Sequence, residues 1–211
     1  ASMLSLHATK VFHAVEGGIV CFHNPALGDR LRAWRNFGVD PNTGEIVFPG
    51  GNAKMDELRA AMGVCNLRHI DSWIASRARV EEHYRKRLSD VPGIRLINSA
   101  RSVKQNHIYM PVLFDSAVYG STRDDVLAAL AAHDIGARRY FYPLVSDFPC
   151  YRNVFDAGNT PVARAAANRV LTLPLYEGLS IADVDRICDV VLGCPVSYTH
   201  LRAHETGRNL V

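Results

Sequence analysis

Apolar and polar positions alternate along this chain in two different rhythms. The first fifty residues are short apolar runs broken by turns. Gly18 to Phe22 predicts a strand and Asn24-Pro25 a turn after it. Ala26 to Phe37 predicts a short helix, 40–44 a loop, Glu45 to Phe48 an extended piece and Pro49 to Asn52 a second turn. A long helical stretch follows. Met55, Leu58, Met62 and Cys65 recur at helical spacing, as do Ile70, Trp73, Ile74 and Arg77, and Val91-Pro92-Gly93 stops the pattern near Leu88. Beyond it, strand and helix signals alternate. Ile94–Ile97, Ile108–Phe114, Ile135–Tyr142 and Leu171–Leu173 predict extended segments. Ser121 or Thr122 can cap a helix carrying Val126, Leu127 and Leu130. Pro161 is placed to open a helix, and Ser180 with Asp183 opens the last one, whose apolar stripe is Ile181, Val184, Ile187 or Cys188, and Val191. Residues from about 90 to 194 therefore read as a compact α+β domain.

The last residues, 195–211, follow the expected end of that helix and keep no clear periodicity. They read as a non-native or disordered tail. His200 and His204 are four apart within it, a spacing that can bind metal on a helix, but no third ligand is near and no metal is expected.

Composition narrows the class without naming it. The 211 residues are 48% hydrophobic and 21% charged, ordinary for a globular protein with a real core. The formal net charge of +3 comes without a dense arginine-lysine run, so no nucleic-acid partner is expected, while an anionic small substrate would suit it. Five cysteines, an odd number without a C-x-x-C, argue against a disulfide framework and for a cytoplasmic setting. No apolar run reaches the roughly 18 residues that a membrane helix needs, and no signal peptide is readable. The chain does not start with methionine, and it is expected to begin inside a longer protein.

Three segments carry candidate chemistry. In Ser5-Leu6-His7-Ala8-Thr9-Lys10, followed by Glu16-Gly17-Gly18, a lysine lies among apolar and small residues near a glycine turn. Withdrawal from water favours the neutral, nucleophilic amine that Schiff-base chemistry needs. His7 reads as a structural residue or pocket wall, and Glu16 as an organiser of the turn. Gly50-Gly51-Asn52-Ala53-Lys54-Met55 precedes a helix, where backbone N–H groups can face an anion. Ala137-Arg138-Arg139-Tyr140-Phe141-Tyr142-Pro143-Leu144 is an aromatic-rich strand, equally readable as core packing or as a binding wall.

Together these strings resemble the DegT/DnrJ/EryC1/StrS aminotransferases, pyridoxal-phosphate-dependent sugar aminotransferases of fold type I. The family's S-F-H-x-T-K…E-G-G segment differs here by Leu6, and its G-x-N-x-(R/K)-M-x-E-x-x-A-A-x-G segment is matched from Gly50 to Gly63. Its R-x-Y-F-Y-P-L segment is matched near Arg138, and Leu173-Pro174-Leu175-Tyr176 matches a structural landmark. The resemblance implies an α/β fold, the C-terminal part of a fold-type-I transferase. Residues 1–70 would be the remainder of the large cofactor domain, and 71–194 a long connecting helix with a small α+β domain. Lys10 would form the Schiff base with pyridoxal 5'-phosphate and shuttle a proton. Ser5 would bond the cofactor phosphate, and Asn52 would reach the same phosphate in the partner subunit of a homodimer, with Lys54 a weaker candidate. Arg138 or Arg139 would neutralise the diphosphate of a nucleotide sugar, and Tyr140 or Tyr142 would line the sugar pocket. The implied reaction is ping-pong transamination of a nucleotide-linked keto sugar, with an amino acid such as glutamate as donor. The resemblance also implies an upstream half supplying the aspartate that pairs with the pyridine nitrogen, so this stretch alone would be inactive. Two alternatives stand beside it: a related sugar-modifying enzyme, such as a dehydratase with histidine in place of the lysine, and a non-catalytic interaction module.

Overall fold

The computed structural model describes residues 1–100 and 102–206; the side chains of residue 157 and of 195–206 lie outside the description. The chain divides into two compact units, Ala1–Trp73 and Ile74–Val211.

In the first unit, β1 (Ser2–Ser5) and β2 (Gly18–Cys21) pair antiparallel, with Ser5 opposite Gly18 and Ser2 opposite Cys21. Helix α1 (Pro25–Arg35) starts where the turn signal stood. Asn24 caps it by accepting from the Ala26 amide at 3.0 Å, and Pro25 occupies the first turn, where a missing N–H costs nothing. The extended piece expected at Glu45–Phe48 reduces to one bridge, Val39 to Ile46. Nearby, a Cβ on Gly50 would lie 2.2 Å from the Gly38 nitrogen, so only glycine lets these two backbones meet. The long helical stretch is in fact two helices, α2 (Glu57–Leu67) and α3 (Ile70–Leu88). At the break, the Arg68 and His69 amides turn back to the Cys65 and Asn66 carbonyls.

The second unit is built on an antiparallel sheet in the order β3-β4-β5, from β3 (Ile94–Leu96), β4 (Met110–Phe114) and β5 (Val170–Leu173). Its helices are the continuation of α3, then α4 (Ser116–Tyr119), α5 (Arg123–Ala132), α6 (Pro161–Ala167) and α7 (Ile181–Thr206). The core gathers Val80, Tyr84 and Leu88 of α3, Val126 and Leu130 of α5, and Val184, Cys188 and Val191 of α7. These close over Val112 and Phe114 of β4 and Leu171 and Leu173 of β5. Each helical set repeats every three or four residues, one face of a helix. Thr122 and Asp125 cap α5 reciprocally.

Two expectations change here. Ile135–Tyr142 is not a strand: only Arg138 joins the sheet, bridging Thr172 on the free edge of β5. The rings of Tyr140 and Phe141 stack at 4.7 Å and 10°, whereas a strand would send successive side chains to opposite faces. The last helix does not end near residue 194 but runs to Thr206; residues 207–211 of the expected tail and the His200 and His204 side chains lie outside the description.

Candidate active site

Lys10 sits on the loop that joins β1 to β2. The loop is closed at its base: the Leu6 amide donates to the Gly17 carbonyl at 2.9 Å, and the Ala14 amide to the Leu6 carbonyl at 2.9 Å. Leu6, Val11 and Ala14 turn inward and are buried, which leaves the polar side chains outside. Several polar groups of the loop bond to one another. The Ser5 hydroxyl oxygen accepts from the His7 amide at 3.3 Å, so its own proton stays free to donate. The Thr9 amide donates to His7 Nδ1 at 3.2 Å, which leaves the ring proton on Nε2, 3.4 Å from the Glu16 carboxylate. The Lys10 amide donates to the His7 carbonyl at 2.9 Å. Among the described residues, the Lys10 ammonium, half-buried, makes no hydrogen bond or ion pair. His7 and Glu16 thus shape the turn, and Lys10 and Ser5 are left with unspent donor capacity.

That donor set suits a phosphate-bearing aldehyde: an amine without a carboxylate partner for the carbonyl carbon, and a hydroxyl proton for the anion. The residues present fit pyridoxal 5'-phosphate in this respect.

Asn52 is exposed and bridges Asn36, after a backbone path fixed by the Gly51 amide on the Trp34 carbonyl at 3.0 Å. The N-terminus of α2 is not open to an anion as expected. Asp56 fills the start of α2, its carboxylate accepting from the Arg59 amide at 2.9 Å and pairing with the Arg59 guanidinium at 2.8 Å. An acidic cap takes the place an anion would need. Among the described residues no hydrogen bond joins Asn52 to Ser5 or Lys10. Lys54 is already engaged, 2.9 Å from Asn36 Oδ1 and 4.5 Å from the centre of the Phe37 ring.

The second unit holds the other candidates. Arg139 lies 2.7 Å from Asp124, whose same oxygen also meets Arg123 at 3.1 Å. Arg138 donates to the Tyr140 hydroxyl at 2.5 Å, a neutral partner that leaves its charge uncompensated. The Tyr142 ring lies 4.4 Å from the Arg123 guanidinium, and Arg123 is itself buried and bonded to the Ala167 and Val170 carbonyls. Tyr109 meets Tyr140 and Phe141 edge-on at 5.6 and 6.0 Å. Sequence reasoning missed Arg123, Asp124 and Tyr109. The charged run Arg123-Asp124-Asp125 at a helix start was the available signal for the first two, whereas Tyr109 in an apolar strand gave none.

Residues 1–192 match the model of the DegT/DnrJ/EryC1/StrS aminotransferase family. The chain is 36% identical over 179 residues to a dTDP-4-amino-4,6-dideoxy-D-glucose transaminase of Shigella dysenteriae, a match covering 85% of this chain and 48% of that protein. A transaminase of the same name from Escherichia coli is 34% identical over 180 residues, with 84% and 48% covered. Among solved structures, DesI in the presence of its TDP-sugar product superposes with a TM-score of 0.86 at 34% identity, over 96% of this chain and 52% of that one. DesV of S. venezuelae, in complex with a ketimine intermediate, gives 0.80 at 27% identity, over 90% and 50%. The chain spans about half the length of the curated relatives it matches. The mixed α/β architecture expected from the sequence is that of fold-type-I sugar aminotransferases. The chain belongs to the DegT/DnrJ/EryC1/StrS aminotransferase family.

Proposed function

We propose that this chain is the C-terminal half of an enzyme that transaminates a nucleotide-linked keto sugar, with an amino acid such as glutamate as donor and pyridoxal 5'-phosphate as cofactor. The observation that carries the reading is Lys10, half-buried and, among the described residues, without a carboxylate partner, on a loop pinned at its base, in a chain whose relatives are sugar transaminases. When bound, the cofactor supplies an aldehyde that condenses with amines and a ring that withdraws electrons from the carbon being deprotonated. Lys10 would offer Nζ for attachment and, when free, would be the base that takes and returns the proton. The Ser5 hydroxyl donates to the phosphate. Asn52, which among the described residues makes no hydrogen bond to Lys10 or Ser5 of its own chain, would serve the site of a partner copy in a homodimer. Of the two arginines, Arg138 is the better match for a diphosphate, because Asp124 already neutralises Arg139. Tyr140 and Tyr142 line the sugar side. A dehydratase of the family would need histidine at position 10, and lysine stands there.

Absorption spectroscopy tests the assignment. The full-length protein is expected to gain a visible band on addition of pyridoxal phosphate, bleached by borohydride and absent in Lys10→Ala. An unchanged band in Lys10→Ala sinks the reading in favour of a module without this chemistry. The 211-residue chain alone is expected to bind the cofactor weakly or not at all; robust turnover by it would overturn the need for an upstream half.

A further inference from the structure

We infer that Asn66 is a positioning residue for Lys10, a buried amide that holds the lysine loop against α2. This rests on the reading of Lys10 given above. Asparagine is a poor helix former, and inside a helix it normally stays in water. Asn66 does neither: it lies within α2 and is only 8% exposed. Its Nδ2 donates to the backbone carbonyl of His13 at 2.9 Å, across fifty-three positions of sequence. That carbonyl belongs to the same closed loop as Lys10, one residue before the Ala14 amide that locks the loop to Leu6.

Two neighbouring features press the same way. One turn earlier on α2, Gly63 faces the loop: a Cβ there would lie in ordinary contact with Ala14 Cβ at 3.6 Å, so helix and loop run side by side. The His13 ring lies parallel to Trp73, at 6.5 Å and 10°. The segment after Lys10 is therefore held by its ring, by its backbone carbonyl and by the buried Ala14. The Ala14 amide ties the loop to itself, whereas the Asn66 bond is a directional donor reaching in from α2, and so fixes the rotation of the loop against the helix as well as its distance. Without it the part-buried His13 carbonyl would lose this donor, and the loop would turn it toward water, carrying Lys10 with it.

The test uses the full-length protein and two readouts. In cofactor-free protein, amide hydrogen exchange over residues 7–14 is expected to rise about tenfold in Asn66→Leu, the loss of one part-buried hydrogen bond, with α5 unchanged. With pyridoxal phosphate added, borohydride trapping at Lys10 is expected to slow by a similar factor, and Asn66→Gln, which keeps a donor, to recover part of it. Should Asn66→Leu fail to fold, Asn66→Asp carries the same test, matched in shape but with no proton to donate at neutral pH. Unchanged exchange over 7–14 overturns the inference. So does a lowered melting temperature with an unchanged trapping rate, because that would be a structural role only. If the wild-type protein forms no visible band, the functional reading fails instead, and the exchange data, which need no cofactor, still decide whether Asn66 holds the loop.

Discussion

The hydroxyl of Tyr119 donates to the backbone carbonyl of Val191. In a regular helix that carbonyl would accept from the amide of residue 195, but residue 195 is proline and has no N–H. A side chain from α4 thus replaces the donor that the sequence of α7 removed. Tyr119→Phe leaves the carbonyl buried without a partner, and is expected to cost about 1–3 kcal/mol in chemical denaturation. Tyr84 is the internal control. It is fully buried, burial pushes its phenol far up, and among the described residues its hydroxyl has no partner. Tyr84→Phe is expected to be neutral, or stabilising by up to about 1 kcal/mol, since it removes an unpaired polar group. A cost for Tyr84→Phe equal to that for Tyr119→Phe would refute the distinction. At this scale Lys10 and Ser5 stood out as candidates because a whole string of residues surrounds them. Asn66 was not, because its partner is a backbone carbonyl, which leaves no trace in sequence.

Among the elements, α3 and α7 are tied by a charged cluster: Asp185 meets His83 at 2.8 Å and also pairs with Arg87, and Arg87 reaches Asp189 at 2.6 Å. The hydrogen bonds from His83 and then Arg87 hold the Asp185 carboxyl below its ordinary value of 3.8. A depressed folded-state value stabilises the native protein above the unfolded carboxylate range, and that contribution is lost as pH falls through the folded value. The melting temperature of the wild type is therefore expected to fall below about pH 4 more steeply than that of Asp185→Asn. Parallel acid limbs would remove this cluster from the account. On the same helix, burial pushes the Cys188 thiol up to about 12. At neutral pH an alkylating reagent is expected to label exposed Cys150 and spare Cys188 until the protein unfolds, which peptide mapping can read. Long amphipathic elements such as α5, the body of α3 and the first turns of α7 were legible because their stripes repeat over several turns, whereas the break before α3 and the end of α7 were not. β1, four residues that end where the lysine motif begins, was too short to show a period, and Ile135–Tyr142 misled because stacked aromatic rings imitate strand composition without its alternation.

For the molecule as a whole, the first unit keeps much apolar surface in water: Met3 and Leu58 are each 84% exposed, and Leu4, Ile19 and Val20 stand out beside them. Surfaces of this kind mark interfaces. The 211-residue chain alone is expected to enhance the fluorescence of a hydrophobic dye and to self-associate in sedimentation; a monodisperse, dye-silent chain would contradict this. The fold class was legible because separate strings agreed in order, but the extent of this uncovered surface was not, since exposure depends on what packs beside it. The ribbon of β1 and β2 has a further consequence. Its successive residues Met3 and Leu4 face Val20 and Ile19, so both sides are apolar, and sliding by one position would trade one greasy face for another at little cost. Nothing in the strands themselves selects their alignment. That choice falls to the loop they enclose, through the pairs Leu6–Gly17 and Ala14–Leu6. The lysine loop is thus the clasp that keeps the two strands in step, and damage to it would be felt first as a slipped ribbon.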